Sequence, residues 1–149
     1  MDKEKYNDQG SPDILYKIPT SAQVVFELGC GTGALGKAYK AINPDAIYMG
    51  VESMKESVEV AKKYLDFVWN IDIEGKKFDL PKSISSIDTL VYDNILEHLK
   101  NPQKVLIEQS EWLSPDGTVV ACIPNVQNWS VILNLLSGQW PQTNDGIFD

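Results

Sequence analysis

Two kinds of block alternate along this chain. Short, continuous apolar runs end at glycine, proline or asparagine, and longer stretches of helical periodicity lie between them. Val24-Val25-Phe26-Glu27-Leu28 is a run of the first kind. It ends in glycines, the pattern of a strand buried on both faces of a parallel sheet. Ala46 to Val51, Phe67 to Trp69, Asp88 to Tyr92 and Thr118 to Ile123 repeat it. Ala34 to Ile42 is a predicted helix that stops at Asn43-Pro44. Ser53-Met54-Lys55-Glu56 fits a capping box at the start of a helix running to about Tyr64. Asn101-Pro102 supplies an N-cap and a proline at the first position of a helix carrying Val105, Leu106, Gln109 and Trp112. Trp129 to Leu136 is a last helix, and Asp13 to Tyr16 a short docked one.

Strands alternating with helices predict an α/β domain, a parallel sheet with helices on both faces. Residues 1–20 form a polar N-terminal segment, 21–137 the domain and 138–149 a tail. Asp72 to Ser86 is a polar loop, and Ser114-Pro115-Asp116-Gly117 a turn before the fifth strand. Ligands of such sheets sit beyond the carboxyl ends of the strands, where the strand order reverses. That directs attention to the residues just after strands one to four.

Composition narrows the function. At 149 residues the chain is long enough for one domain with a real core. Its 13 basic residues against 21 acidic ones give a net charge of −8, which argues against a nucleic-acid backbone as the main partner. No apolar run approaches the ~18 residues of a membrane span, and the polar N-terminus lacks a signal peptide's apolar segment. Two cysteines, Cys30 and Cys122, make no disulfide framework, so a reducing, cytoplasmic setting is expected. Cys122, in a strand read as buried, is expected to be inert. A lone histidine, His98, excludes a multi-histidine metal site, and no metal is expected.

The most informative segment is Glu27-Leu28-Gly29-Cys30-Gly31-Thr32-Gly33-Ala34-Leu35-Gly36-Lys37. Glycines at alternate positions let the backbone turn sharply and approach a ligand. Three motifs overlap here. Gly31 to Lys37 fits G-x-x-x-x-G-K, but Ala38 stands where a P-loop needs Ser or Thr for magnesium. Gly31-x-Gly33-x-x-Gly36 matches the dinucleotide fingerprint, with the acid Glu52 19 residues after Gly33. The third motif is E-x-G-x-G-x-G, from Glu27 to Gly33. A carboxylate at the strand end would repel a pyrophosphate and attract a cationic ligand.

In this last motif the chain resembles class I S-adenosylmethionine-dependent methyltransferases. The resemblance continues through Gly50-Val51-Glu52, Asp72-Ile73, Leu113-Ser114-Pro115-Asp116-Gly117 and, between the last two, Asp93-Asn94-Ile95-Leu96-Glu97-His98-Leu99. The last of these is similar to the family's D-x-L-E-H-L segment, departing from it at Asn94. Ile123-Pro124-Asn125 and the residues after it look like a subgroup associated with bacterial glycosyltransferases. The resemblance implies a Rossmann-like sheet of strand order 3-2-1-4-5. It also implies S-adenosylmethionine as cofactor and a small-molecule or glycan acceptor, with oxygen as the atom methylated. The cofactor residues it implies are Glu27, Gly29, Cys30, Gly31, Gly33, Glu52, Ser53, Met54, Asp72, Ile73 and Asp93. Glu52 would take the ribose hydroxyls, and Asp72-Ile73 would meet the adenine edge.

Asp93 and His98 are the candidate catalytic residues. His98 also suits a structural hydrogen-bonder, and Cys30 a small space-filler. Trp129, Trp140 and Phe148 suit a substrate wall, a packing role or a partner surface. Family members usually continue into strands six and seven, which are missing here. Asp145-Gly146-Ile147-Phe148-Asp149 resembles the start of that part. The fifth strand is then expected as an apolar edge, so that either the chain is truncated or a homodimer covers it. A cofactor-binding module without turnover, or a nicotinamide oxidoreductase built on the same glycines, remain the alternatives.

Overall fold

A computed structural model describes residues 11–74 and 78–140. The chain runs α1 (Pro12–Leu15), β1 (Val24–Leu28), α2 (Ala34–Ile42), β2 (Ile47–Glu52), α3 (Lys55–Ala61) and β3 (Phe67–Asn70). It continues through β4 (Ile87–Asp93), a 3-10 turn (Leu96–His98), α4 (Pro102–Ser110), β5 (Leu113–Cys122) and α5 (Trp129–Leu136). The sheet order is β3-β2-β1-β4-β5, and every neighbouring pair is parallel. This is the Rossmann-like arrangement expected. β1 sits at its centre, with Glu27 opposite Gly50 on β2 and Val91 on β4. The strand order reverses at β1, so the crevice lies above its carboxyl end.

Alternate residues of each strand feed opposite faces. Val25, Tyr48 and Val91 join Ile14, Ile18, Tyr39, Ala61 and Leu65 under α1, α2 and α3. Phe26, Leu28, Met49 and Leu90 join Leu96 and Val105 on the α4 face. Trp112 belongs to that second layer, edge-on to Phe26 with ring centroids 5.4 Å apart. Phe78, from the long β3–β4 connection, lies 5.8 Å from both rings. The connection is therefore anchored by its apolar residues although it reads as polar loop.

Three local features depart from expectation. The capping box at Ser53 does not form: the N-cap of α3 is Met54, without a side-chain cap. The Ser53 hydroxyl instead donates to Glu52 Oε1 at 3.2 Å, and the same oxygen accepts the Met54 N–H at 2.7 Å. Turned toward that carboxylate as a donor, the serine hydroxyl does not cap the helix amides. α3 ends at Ala61, followed by turn hydrogen bonds as far as Leu65. β5 begins five residues early, at Leu113, which pairs with Ile87 before the register shifts and Thr118 pairs with Thr89. Ser114 to Gly117 is thus an irregularity within the strand. Cys122 is half-buried at this sheet edge, not enclosed in a central strand. The Asn101 cap holds as read, its side chain accepting from Lys104 N at 3.0 Å.

Of the tail, residues 141–149 lie outside the described residues, and Phe148 and the Asp145–Asp149 stretch with them. None of the described helices is long and apolar enough to cross a membrane.

Candidate cofactor site

The crevice is shaped by backbone first. Gly29, Gly31 and Gly33 all have positive φ, at 73°, 51° and 78°, so the turn from β1 to α2 needs residues without a Cβ. Gly29 N and Cys30 N both donate to Val51 O, at 2.8 and 3.1 Å, which pins the loop to β2. A Cβ on Gly29 would stand 2.9 Å from the Ile95 side chain. Gly36 and Gly50 serve close packing instead. A Cβ on Gly50 would meet Cys30 Sγ at 2.5 Å, so Cys30 fills the space beneath β2.

Glu52 closes the loop from the other side. It is 7% exposed, and its Oε2 accepts the Gly31 N–H at 3.1 Å. With Ser53 and Met54 on Oε1, this one carboxylate joins the glycine loop to the start of α3. Three donors leave about one of its roughly four acceptor positions open. Glu27 is more deeply buried, at 3%, and its Oε2 accepts the Tyr48 hydroxyl at 3.1 Å. Burial is the main cause lifting its carboxyl from 4.5 to about 8, with Asp93 and Glu52 adding repulsion. Burial and the neighbouring Glu27 likewise push the Tyr48 hydroxyl well above its ordinary 10.

Above these residues lies a cavity of about 340 Å³. Its walls bring together Gly29, Glu52, Ser53, Asp72, Ile73 and His98. Cys30, Gly31, Gly33, Glu27, Met54 and Asp93 do not line it. The first four lie in the loop and strand below, and Met54 is exposed at the start of α3. Asp93, at the end of β4, is half-buried. Its Oδ2 accepts the Ser11 hydroxyl at 2.5 Å and its Oδ1 the Asn94 side-chain amide at 3.1 Å. Asn94 has φ 49°, a conformation asparagine tolerates better than most residues.

Sequence reasoning missed part of the wall: Ile71, Glu74, Ile95, Leu99 and Lys100. Ile95 and Leu99 flank the His98 segment at apolar positions, so their place was discoverable from that motif. Glu74 carries no motif signal at all.

The sequence matches the family model described as a methyltransferase domain over residues 26–119. The chain belongs to this methyltransferase family. The match spans β1 through most of β5, the part of the molecule that builds the crevice. Among curated relatives, this methyltransferase-family chain is 34% identical over 101 residues to a 37.1 kDa protein of unassigned function in a transposon of Streptomyces fradiae. That match covers 66% of the chain and 29% of the relative. It is 27% identical over 103 residues to a malonyl-[acyl-carrier protein] O-methyltransferase of Halalkalibacterium halodurans, covering 66% and 38% of the two. The chain thus spans about a third of the length of these relatives.

Solved methyltransferases share its fold. A coclaurine N-methyltransferase bound to N-methylheliamine and S-adenosylhomocysteine (SAH) aligns with a TM-score of 0.59 and 24% identity, over 70% of this chain and 32% of that one. The plantazolicin methyltransferase BpumL, in complex with a triazolic desmethylPZN analogue and SAH, aligns at 0.66 and 18% identity, over 91% and 50%.

Proposed function

We propose that this domain binds S-adenosylmethionine and serves methyl transfer to a small-molecule or glycan acceptor, at oxygen. One observation carries the reading. The cavity at the strand-order reversal is lined at once by the glycine turn, the buried Glu52 and the Asp72-Ile73 segment. Those residues suit the ligand's parts. Gly29 offers its backbone to the cavity, and Glu52 retains an acceptor position for a ribose hydroxyl. Asp72 and Ile73 offer a polar edge and an apolar face for adenine. Glu52, Asp72 and Glu74 on the walls, against Lys100, disfavour a pyrophosphate and suit a cationic ligand. The SAH bound to both structural neighbours and the O-methyl chemistry named for one relative are further support.

When bound, S-adenosylmethionine supplies a methyl group activated on a sulfonium. The chain's part is orientation and electrostatics. Glu27 lies beneath the glycine turn, its carboxyl raised by burial and held by the Tyr48 hydroxyl. Asp93 and His98 are the proposed proton acceptors for a hydroxyl. Asp93 is held in place at the end of β4 by Ser11 and Asn94, and His98 lines the cavity. A homodimer across the β5 edge and a reducing, cytoplasmic setting belong to the same reading. Exposed Val119 and Ile123 support the first, and the free thiols Cys30 and Cys122 the second.

Calorimetric titration with S-adenosylmethionine, SAH and NAD tests the cofactor. Binding of the first two and not the third is expected. Binding of NAD alone would sink the proposal. Glu52→Ala should weaken SAH by about 100-fold, since it removes a charged acceptor from a buried site. An unchanged affinity would remove Glu52 from the ribose role.

A further inference from the structure

The Glu74 carboxylate spans the gap between the two loops that wall the cavity. Glu74 follows Asp72-Ile73 on the chain beyond β3, and its own N–H donates to Asp72 Oδ1 at 3.0 Å. Its side chain crosses to the residues before α4. Oε2 accepts the Lys100 N–H at 2.9 Å, and Oε1 the Asn101 N–H at 2.8 Å. Each oxygen thus takes one donor from adjacent residues, a two-point clamp 26 and 27 positions away in sequence. The clamp sits where a carboxylate is favoured. Asn101 is the N-cap of α4, a nine-residue helix whose free amides and dipole attract negative charge.

Both halves of the clamp line the cavity, Glu74 on one wall and Lys100 on the other, beside Asp72, Ile73, His98 and Leu99. Elsewhere these walls rest on different strands. Asp72 and Ile73 follow β3 at one side of the sheet, and the 95–100 segment follows β4 on the far side of β1. Their spacing is therefore not set by a shared ladder.

We propose that Glu74 is a positioning residue that latches the loop after β3 to the start of α4 and holds the adenosine end of the cavity at its working width. This rests on the cofactor reading above. The latch acts on the ligand's nucleoside half, not on its methionine end. It slows ligand escape, because the walls must part for the nucleoside to leave.

Two variants, Glu74→Ala and Glu74→Gln, test the role. Three measurements apply: affinity and dissociation rate of SAH, affinity of 5′-methylthioadenosine, and hydrogen exchange of the Lys100 and Asn101 amides. Glu74→Ala is expected to weaken SAH and 5′-methylthioadenosine by the same factor, about tenfold, with most of the change in the dissociation rate. Both amides should exchange faster. Glu74→Gln retains one acceptor oxygen and should fall between wild type and Glu74→Ala. Because the bonds are exposed, the melting temperature of the free protein should move by no more than about 2 °C. Equal SAH affinity in wild type and Glu74→Ala overturns the role alone. So does an affinity loss that appears only alongside a large fall in melting temperature. A wild-type protein that binds no SAH overturns the cofactor reading, and this role with it.

Discussion

β1 and β2 are buried from their second residue to their last, whereas β5 fully buries only Val120. The helices that follow differ in the same way. α2 buries Leu35, Gly36 and Tyr39. α5 buries Val131 and leaves Trp129, Ile132, Leu133 and Leu136 exposed. The central strands have a neighbour on each side and helices on both faces. β5 has one neighbour, and its outer side is open among the described residues. The glycine turn and Glu52 of the candidate cofactor site lie on the enclosed side. A glycine turn at positive φ and a carboxylate that satisfies three donors both need a rigid surround, and only the centre of the sheet provides one.

The contrast can be broken by substitution. Gly36→Ala should have the largest effect on stability. Its new Cβ would stand 2.3 Å from Leu65 Cδ2 and 2.7 Å from the Tyr48 ring. Overpacking of this kind should cost about 3 kcal/mol in urea denaturation. A loss below about 1 kcal/mol would mean the α2–β2 contact is looser than it looks.

Per pH unit, the buried acid gives a smaller effect. The Glu27 carboxyl titrates near 8 when folded, against an ordinary 4.5. Its proton therefore supports the folded state fully below the lower value, and that support is lost as pH rises through the higher one. Wild-type stability should fall across this window by about 1 kcal/mol per pH unit, and Glu27→Gln should flatten that slope. Parallel pH profiles for the two proteins would show that Glu27 is ionised already.

The smallest stability change belongs to the open side. Val119→Lys, at a position 47% exposed, should alter folding by no more than about 0.5 kcal/mol. Sedimentation should nevertheless show less self-association. An identical mass distribution for variant and wild type would count against a dimer through this edge.

Much of the molecule is legible in residue order. The five strands and their succession follow from apolar runs such as Val24 to Leu28, and the glycine turn announces itself through alternating glycines. Legibility fails where burial and tertiary contacts override the local pattern. Ser53 has every local feature of a cap, yet its hydroxyl donates to the buried Glu52 carboxylate and Met54 becomes the N-cap. Ser114 to Gly117 has turn composition, yet the pairing of Leu113 with Ile87 carries the ladder past it. The bond from Ser11 to Asp93 joins residues 82 apart, and no periodicity encodes such a contact.

The irregular first half of β5 limits how the edge can be used. Pro115 has no N–H to offer, and Asp116 beside it is exposed and charged. A neighbouring strand approaching there meets a gap in the hydrogen-bonding row and a carboxylate to desolvate. Regular pairing along the outer edge is confined to the stretch from Thr118 to Cys122, half the length of β5. Polymerisation by unlimited edge-to-edge stacking is disfavoured by this interruption.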